Sequence, residues 1–278
     1  MRRRLIYRPP FEAETLLLEV TEGCTWNKCT FCSMYKTQSF RVLPEEDIRE
    51  QLEVFREQNP AAGRIFLENG DAYALGTDRL LAIADLIREY LPDIGIITGY
   101  ASIRNIMHKT DRDLRLLREA GFTQPNIGLE SGLSEALKIL GKGYTAAEAE
   151  EQLLRMKAAG MEFSLNVILG SAGAPLRLEN ARATAELINR TGPFLVFKEI
   201  PHLEASSELY RMREQGEFAE CSPFQYLEEE EALLSAIDLP ECIYFGVHYS
   251  NIVRLLGRLP GDKEAMLAKI RRTMTEYA

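Results

Sequence analysis

The chain has 278 residues, 46% of them hydrophobic, with 42 acidic against 33 basic side chains and a net charge of −9. That is material for one α/β barrel domain or two smaller domains, and with no apolar run of about 18 residues no transmembrane helix is expected. The acidic balance weighs against a nucleic-acid substrate, which favours a basic face, and the five cysteines do not read as a disulfide framework, so a reducing, cytoplasmic setting is expected.

Arg2, Arg3, Arg4 and Arg8 form a basic cluster that reads as a solvated tail, and Tyr7-Arg8-Pro9-Pro10 is not the apolar stretch of a signal peptide. Thr15-Leu-Leu-Leu-Glu-Val20 reads as a buried strand. Directly after it comes Cys24-Thr-Trp-Asn-Lys-Cys29-Thr-Phe-Cys32, a Cys-x4-Cys-x2-Cys pattern on a loop. Three thiols this close suggest a metal site. A structural zinc site takes four closed ligands, and the nearest histidine is His108. A [4Fe–4S] cluster also takes four cysteines as a rule, so three leave one iron open.

Pro44-Glu-Glu-Asp opens a helix with proline and acids in its first turn, followed by a strand at Arg64-Ile-Phe-Leu-Glu68 and the turn Asn69-Gly70-Asp71. Leu80, Ile83, Ile87 and Leu91 stripe a second helix, and 94–100 is a third strand. Thr110-Asp-Arg-Asp113 and Thr145-Ala-Ala-Glu148 read as capping boxes at two further helices. Between those helices lies a fourth strand, 125–130, ending in Gly128-Leu-Glu130-Ser131-Gly132. A fifth strand spans 162–169 and carries Asn166, whose amide in an apolar run costs free energy unless it is bonded. A sixth, 194–199, follows a helix ending at Gly192-Pro193. Six alternations of strand and helix with short links imply parallel strands with right-handed crossovers; pattern alone does not separate an open sheet from a curved barrel. From Pro201 the alternation stops. Helices are expected around 205–215, after Ser222-Pro223 and after Asp262. In 242–249 the alternation sets Ile243, Phe245 and Val247 on one face, expected to pack on the core, opposite Cys242, Tyr244, Gly246 and His248.

The segment 24–32 resembles the cluster loop of the radical S-adenosylmethionine (SAM) enzymes, with one residue more than their usual Cys-x3-Cys-x2-Cys. The resemblance implies that Cys24, Cys29 and Cys32 hold three irons of a single [4Fe–4S] cluster. It implies that SAM chelates the fourth, and that one electron cleaves SAM to methionine and a 5′-deoxyadenosyl radical that abstracts hydrogen from substrate. Phe31 matches the aromatic residue before the third cysteine. Asn69-Gly70-Asp71 stands where the family has Gly-Gly-Glu at the SAM ammonium, with Asp71 as the acid; without the family it reads as a plain turn. Glu130 or Ser131 is implied as a polar SAM contact, and Asn166 as a contact to adenine and ribose.

The resemblance selects a partial (β/α)6 TIM-like barrel over 1–200 with a mainly helical closure segment, 201–278. In wording, 64–71 and 122–142 resemble the group of oxygen-independent coproporphyrinogen oxidase and the Elongator catalytic subunit. With Cys221 and Cys242 alone outside the loop, no second four-cysteine cluster is expected. The expected function is hydrogen abstraction from a small molecule, with His202 and His248 as substrate-site candidates or satisfied structural histidines. An electron donor such as flavodoxin or ferredoxin is implied. A tRNA- or protein-modifying radical SAM enzyme, and a non-catalytic zinc- or cluster-binding module, are the alternatives.

Overall fold

A computed structural model of the chain describes residues 8–277; the cluster Arg2–Arg4 lies outside the described residues. The chain divides into two compact units. One comprises the N-terminal part through Asn27, Tyr35–Ile127 and Arg155–Phe163; the other comprises Lys28–Met34, Gly128–Leu154 and the chain from Ser164 on.

The first unit holds β1 (Leu16–Glu19), β2 (Thr21–Glu22), β3 (Arg41–Val42), α1 (Glu45–Gln58), β4 (Arg64–Glu68), α2 (Thr77–Tyr90), β5 (Ile96–Ala101), α3 (Ile103–Met107), α4 (Asp111–Glu119) and the start of β6 (Asn126–Glu130). β1, β4, β5 and β6 pair in parallel, with Leu17 opposite Phe66, Phe66 opposite Thr98 and Tyr100 opposite Asn126. β2 and β3 form a short antiparallel pair. The strands run apolar because both faces are covered: Leu18, Ile65, Phe66 and Leu67 are fully buried with Ile48, Leu52, Leu80 and Ile87 of the helices. The Thr110 capping box is present at α4.

The second unit holds the end of β6, α5 (Ser134–Ile139), most of α6 (Ala146–Ala158), β7 (Ser164–Ile168), α7 (Gly173–Thr191), β8 (Leu195–Glu199), α8 (Glu208–Glu214), α9 (Pro223–Ala236), β9 (Cys242–Phe245), β10 (Leu256–Leu259) and α10 (Lys263–Met274). β7, β8 and β9 are parallel, with Asn166 opposite Phe197 and Phe197 opposite Phe245, and β10 returns antiparallel. Segment 201–278 therefore extends the strands begun by β7 and β8. Ser222 caps α9 with a full capping box, whereas Asp262 turns its carboxylate back to the Arg258 N–H (2.7 Å) and makes no side-chain cap on α10.

One expectation is corrected. In β9 the buried face is that of Cys242 and Tyr244, both fully buried, while Ile243 and Phe245 are half-buried and Val247 is exposed. The reason is a partner. The Tyr244 hydroxyl donates to Glu230 of α9 at 3.3 Å, which satisfies the polar tip and lets the ring count as core. Among the described residues no helix is long and apolar enough to cross a membrane.

Candidate functional site

In the first unit the cysteine loop begins at Gly23, whose φ of +73° needs glycine. Asp71, buried just after β4, reaches it from 46 residues away. Its Oδ2 accepts the Thr25 N–H at 2.8 Å and the Thr25 hydroxyl, and stands 3.9 Å from Cys24 Sγ. Asn69 takes a left-handed backbone (φ +69°), rare outside glycine. That turn aims its amide at Thr21 O (2.9 Å) and Glu19 Oε1 (2.8 Å), tying the end of β4 to the run into the cysteines. The extra residue of the motif falls within 25–28. There Asn27 also turns left-handed (φ +47°), donates to Tyr35 O (2.7 Å) and accepts from Lys36 Nζ (2.9 Å).

Gly70 has a packing reason of its own. A Cβ there would stand 2.4 Å from the Tyr35 ring. Gly70→Ala is expected to destabilise the protein by about 1–3 kcal/mol, measured by denaturant unfolding; an unchanged midpoint would mean that the ring swings aside freely.

In the second unit the other half of the loop is held by Thr30 and Phe31. The Thr30 N–H donates to Leu140 O (3.0 Å), its hydroxyl to Ile139 O (2.9 Å), and its carbonyl accepts from Leu209 N–H (2.8 Å). Phe31 packs on Leu140, Leu209 and Phe218. Phe31 therefore anchors the segment between Cys29 and Cys32. All three cysteines are half-buried and outside disulfides.

Glu130 closes β6 with φ +67°, a strained setting of the sort concentrated at functional sites. Its carboxylate pairs with Lys142 Nζ at 2.9 Å, both side chains buried, and Gly128 leaves room for it, since a Cβ there would meet Glu130 Oε1 at 2.6 Å. Burial alone would lower the Lys142 ammonium, but Glu130, with Tyr144 and Cys29 nearby, outweighs burial and holds it well above the ordinary lysine value. Lys142 also stands 5.9 Å from the Phe31 ring centre. Sequence reasoning missed Lys142; its signal was the flanking pair Gly141 and Gly143, both left-handed.

Ser131 is fully buried and donates to Asn180 Oδ1 at 2.5 Å. Asn180 in turn donates to Glu229 of α9 (2.7 Å), whose other oxygen accepts the Gly170 N–H (2.7 Å). Glu229 thus ties together the loops that leave β6 and β7. Asn166 is half-buried, and its Oδ1 is buried without a hydrogen-bond partner, an acceptor that awaits a donor. His248 lies beside Glu199 (Nδ1 to Oε2, 3.8 Å), whereas His202 is exposed on the link after β8.

Burial pushes the Glu229 carboxyl up to about 7, against the bonds from Asn180 and Gly170. Burial and then Glu130 do the same for Glu199. A carboxyl raised in the fold binds more protons folded than unfolded between its two values, so stability falls as pH rises from about 4.5 to about 7. The melting temperature is expected to drop across that window and Glu229→Gln to flatten the drop; a rise would contradict the assignment.

The three thiols lie on one loop anchored at both ends, by Asp71 at Thr25 and by Thr30 and Phe31, and as soft ligands they suit iron–sulfur chemistry. Among the described residues no group of three His, Cys, Asp or Glu side chains is placed to hold a metal ion, so the fit to a cluster rests on the donors' chemistry and on how the loop is held. Over residues 18–177, more than half its length, the chain matches the Radical SAM superfamily, and it belongs to that superfamily of enzymes, whose cofactors are a [4Fe–4S] cluster and SAM.

It is 22% identical over 231 residues to the heme chaperone HemW of Bacillus subtilis (strain 168), covering 82% of this chain and 58% of the relative. It is 28% identical over 174 residues to tRNA-2-methylthio-N(6)-dimethylallyladenosine synthase of Alkalilimnicola ehrlichii, covering 59% and 38%. The chain thus spans about half the length of the curated relatives it matches. The crystal structure of methylornithine synthase shares the fold, with a TM-score of 0.57, 14% identity, and 94% of this chain and 81% of that one covered. The relative named for tRNA argues against using net charge to set aside a nucleic-acid substrate, because whole-chain charge does not report the charge of one face.

Proposed function

We propose that the chain is a cytoplasmic radical SAM enzyme acting on a small molecule, with residues 1–200 as a partial barrel and 201–278 as its closure. When bound, the cluster and SAM supply a one-electron reductive cleavage of the sulfonium and the radical that takes hydrogen from substrate. The observation that carries the reading is the three-cysteine loop, held at Cys24 through Asp71 and at Cys29–Cys32 through Thr30 and Phe31.

This chain's own residues bind and orient. Asp71 has Oδ1 left to accept a ligand ammonium, with the Asn69 and Gly70 backbone beside it. The Glu130–Lys142 ion pair, neutral overall, offers a fixed dipole to a polar ligand group, and Ser131 holds its loop. Asn166 Oδ1 accepts an N–H or O–H of the adenosine portion. His202 and His248 are assigned to substrate, and the electron comes from a flavodoxin- or ferredoxin-type donor. A second reading, a tRNA-modifying enzyme, draws on the 28% identical relative.

The test is anaerobic reconstitution followed by electron paramagnetic resonance of the reduced protein. Added SAM is expected to change the cluster signal with one equivalent per chain; an identical spectrum with and without SAM would overturn the proposal.

A further inference from the structure

Among the described residues no lysine or arginine pairs with Glu199, the last residue of β8. The adjacent lysine, Lys198, is on the opposite face of the strand and is engaged with Glu230 at 2.6 Å. The basic neighbour of Glu199 is His248, at 3.8 Å, whose Nδ1 is also 2.7 Å from the Ser250 hydroxyl. The surroundings are aromatic. Strand alternation sets Phe197 on the same face as Glu199. The His248 ring stands edge-on to Phe197 with centres 6.1 Å apart, Phe197 packs on Phe245 at 6.0 Å, and Tyr249, 74% exposed, leans on His248 at 4.3 Å. Neither Glu199 nor His248 is closed off: their side chains keep 28% and 22% of their surface.

We propose that Glu199 and His248 form a substrate subsite for a cation, a protonated amine carried on an apolar or aromatic body. This rests on the reading of His248 as a substrate residue and names the substrate class. The carboxylate accepts the charge-assisted hydrogen bond, and the rings of Phe197, Phe245 and Tyr249 cover the body and favour a cation near their faces. Two facts strengthen the assignment. Burial and then Lys198 lower His248 from its ordinary value, so a largely neutral imidazole does not answer the acid. Glu199 itself, raised to about 7 by burial and Glu130, gains its full charge when a cation arrives. The titratable groups acting on it are Glu130 from β6 and His248 from the segment after β9. Amine binding therefore strengthens as pH rises through about 7.

The test is anaerobic calorimetry on the reconstituted holoenzyme saturated with SAM, titrated with phenethylammonium, phenethyl alcohol and 3-phenylpropionate. Phenethylammonium is expected to bind at least tenfold tighter than the other two, and Glu199→Gln to erase that preference. Glu199→Asp, which keeps the charge, is expected to keep part of it and guards against a folding defect, with melting curves run alongside. No binding of any probe, an equal or better carboxylate, a preference that survives Glu199→Gln, or mutual exclusion of amine and SAM would each overturn the subsite. SAM cleavage by the wild type, measured without any amine, reads the radical SAM proposal separately, so either can fail alone.

Discussion

Alanine at Cys24, Cys29 or Cys32 is expected to abolish cluster loading. Wild-type protein reconstituted without oxygen should carry about four irons and four sulfides per chain, and each of the three variants close to none. The chain has five cysteines, so the contrast with the other two is the control. Cys221 and Cys242 are buried, and burial pushes each thiol up to about 12; such thiols stay protonated and make poor ligands. Cys221→Ala and Cys242→Ala should therefore load as the wild type does. Iron and sulfide analysis reads the result directly. One tight zinc per chain with no iron uptake would return the loop to a zinc-binding module.

Asp71→Ala is expected to act twice. It removes the acceptor that holds Thr25, and it removes the charge proposed to meet the SAM ammonium. Loss of a charged hydrogen bond corresponds to about 1.5–3 kcal/mol, so SAM should bind on the order of ten- to a hundredfold more weakly. Asp71→Asn separates the two effects, because its amide oxygen can still accept the Thr25 N–H. If Asp71→Asn binds SAM as tightly as the wild type at equal iron content, the residue is a loop anchor alone.

What could be read before the structure was what local chemistry writes into neighbouring residues. Apolar runs at 64–68 and 194–199 mark strands covered on both faces, the capping boxes at Thr110 and Thr145 stand as read, and a helix starts after Ser222 as expected. The cysteine spacing needed no fold at all. Features that depend on a distant partner were not legible. Alternation in β9 set the period but not the buried face, which Glu230 of α9 decides through Tyr244. Lys142 pairs with Glu130 because Glu130 takes a left-handed turn that its side chain does not advertise. The Ser131 hydroxyl is drawn to Asn180, 49 residues on. β2 and β3, two residues each, are too short to show any period.

The central claim is that this chain cleaves SAM reductively, and the most direct measurement is chromatographic. Reconstituted protein, a low-potential reductant and SAM are incubated without oxygen, and 5′-deoxyadenosine and methionine are quantified against Cys29→Ala. The account predicts both products in equal amounts, dependent on reductant and absent from the variant. Fully loaded, reduced protein that leaves SAM intact would contradict it.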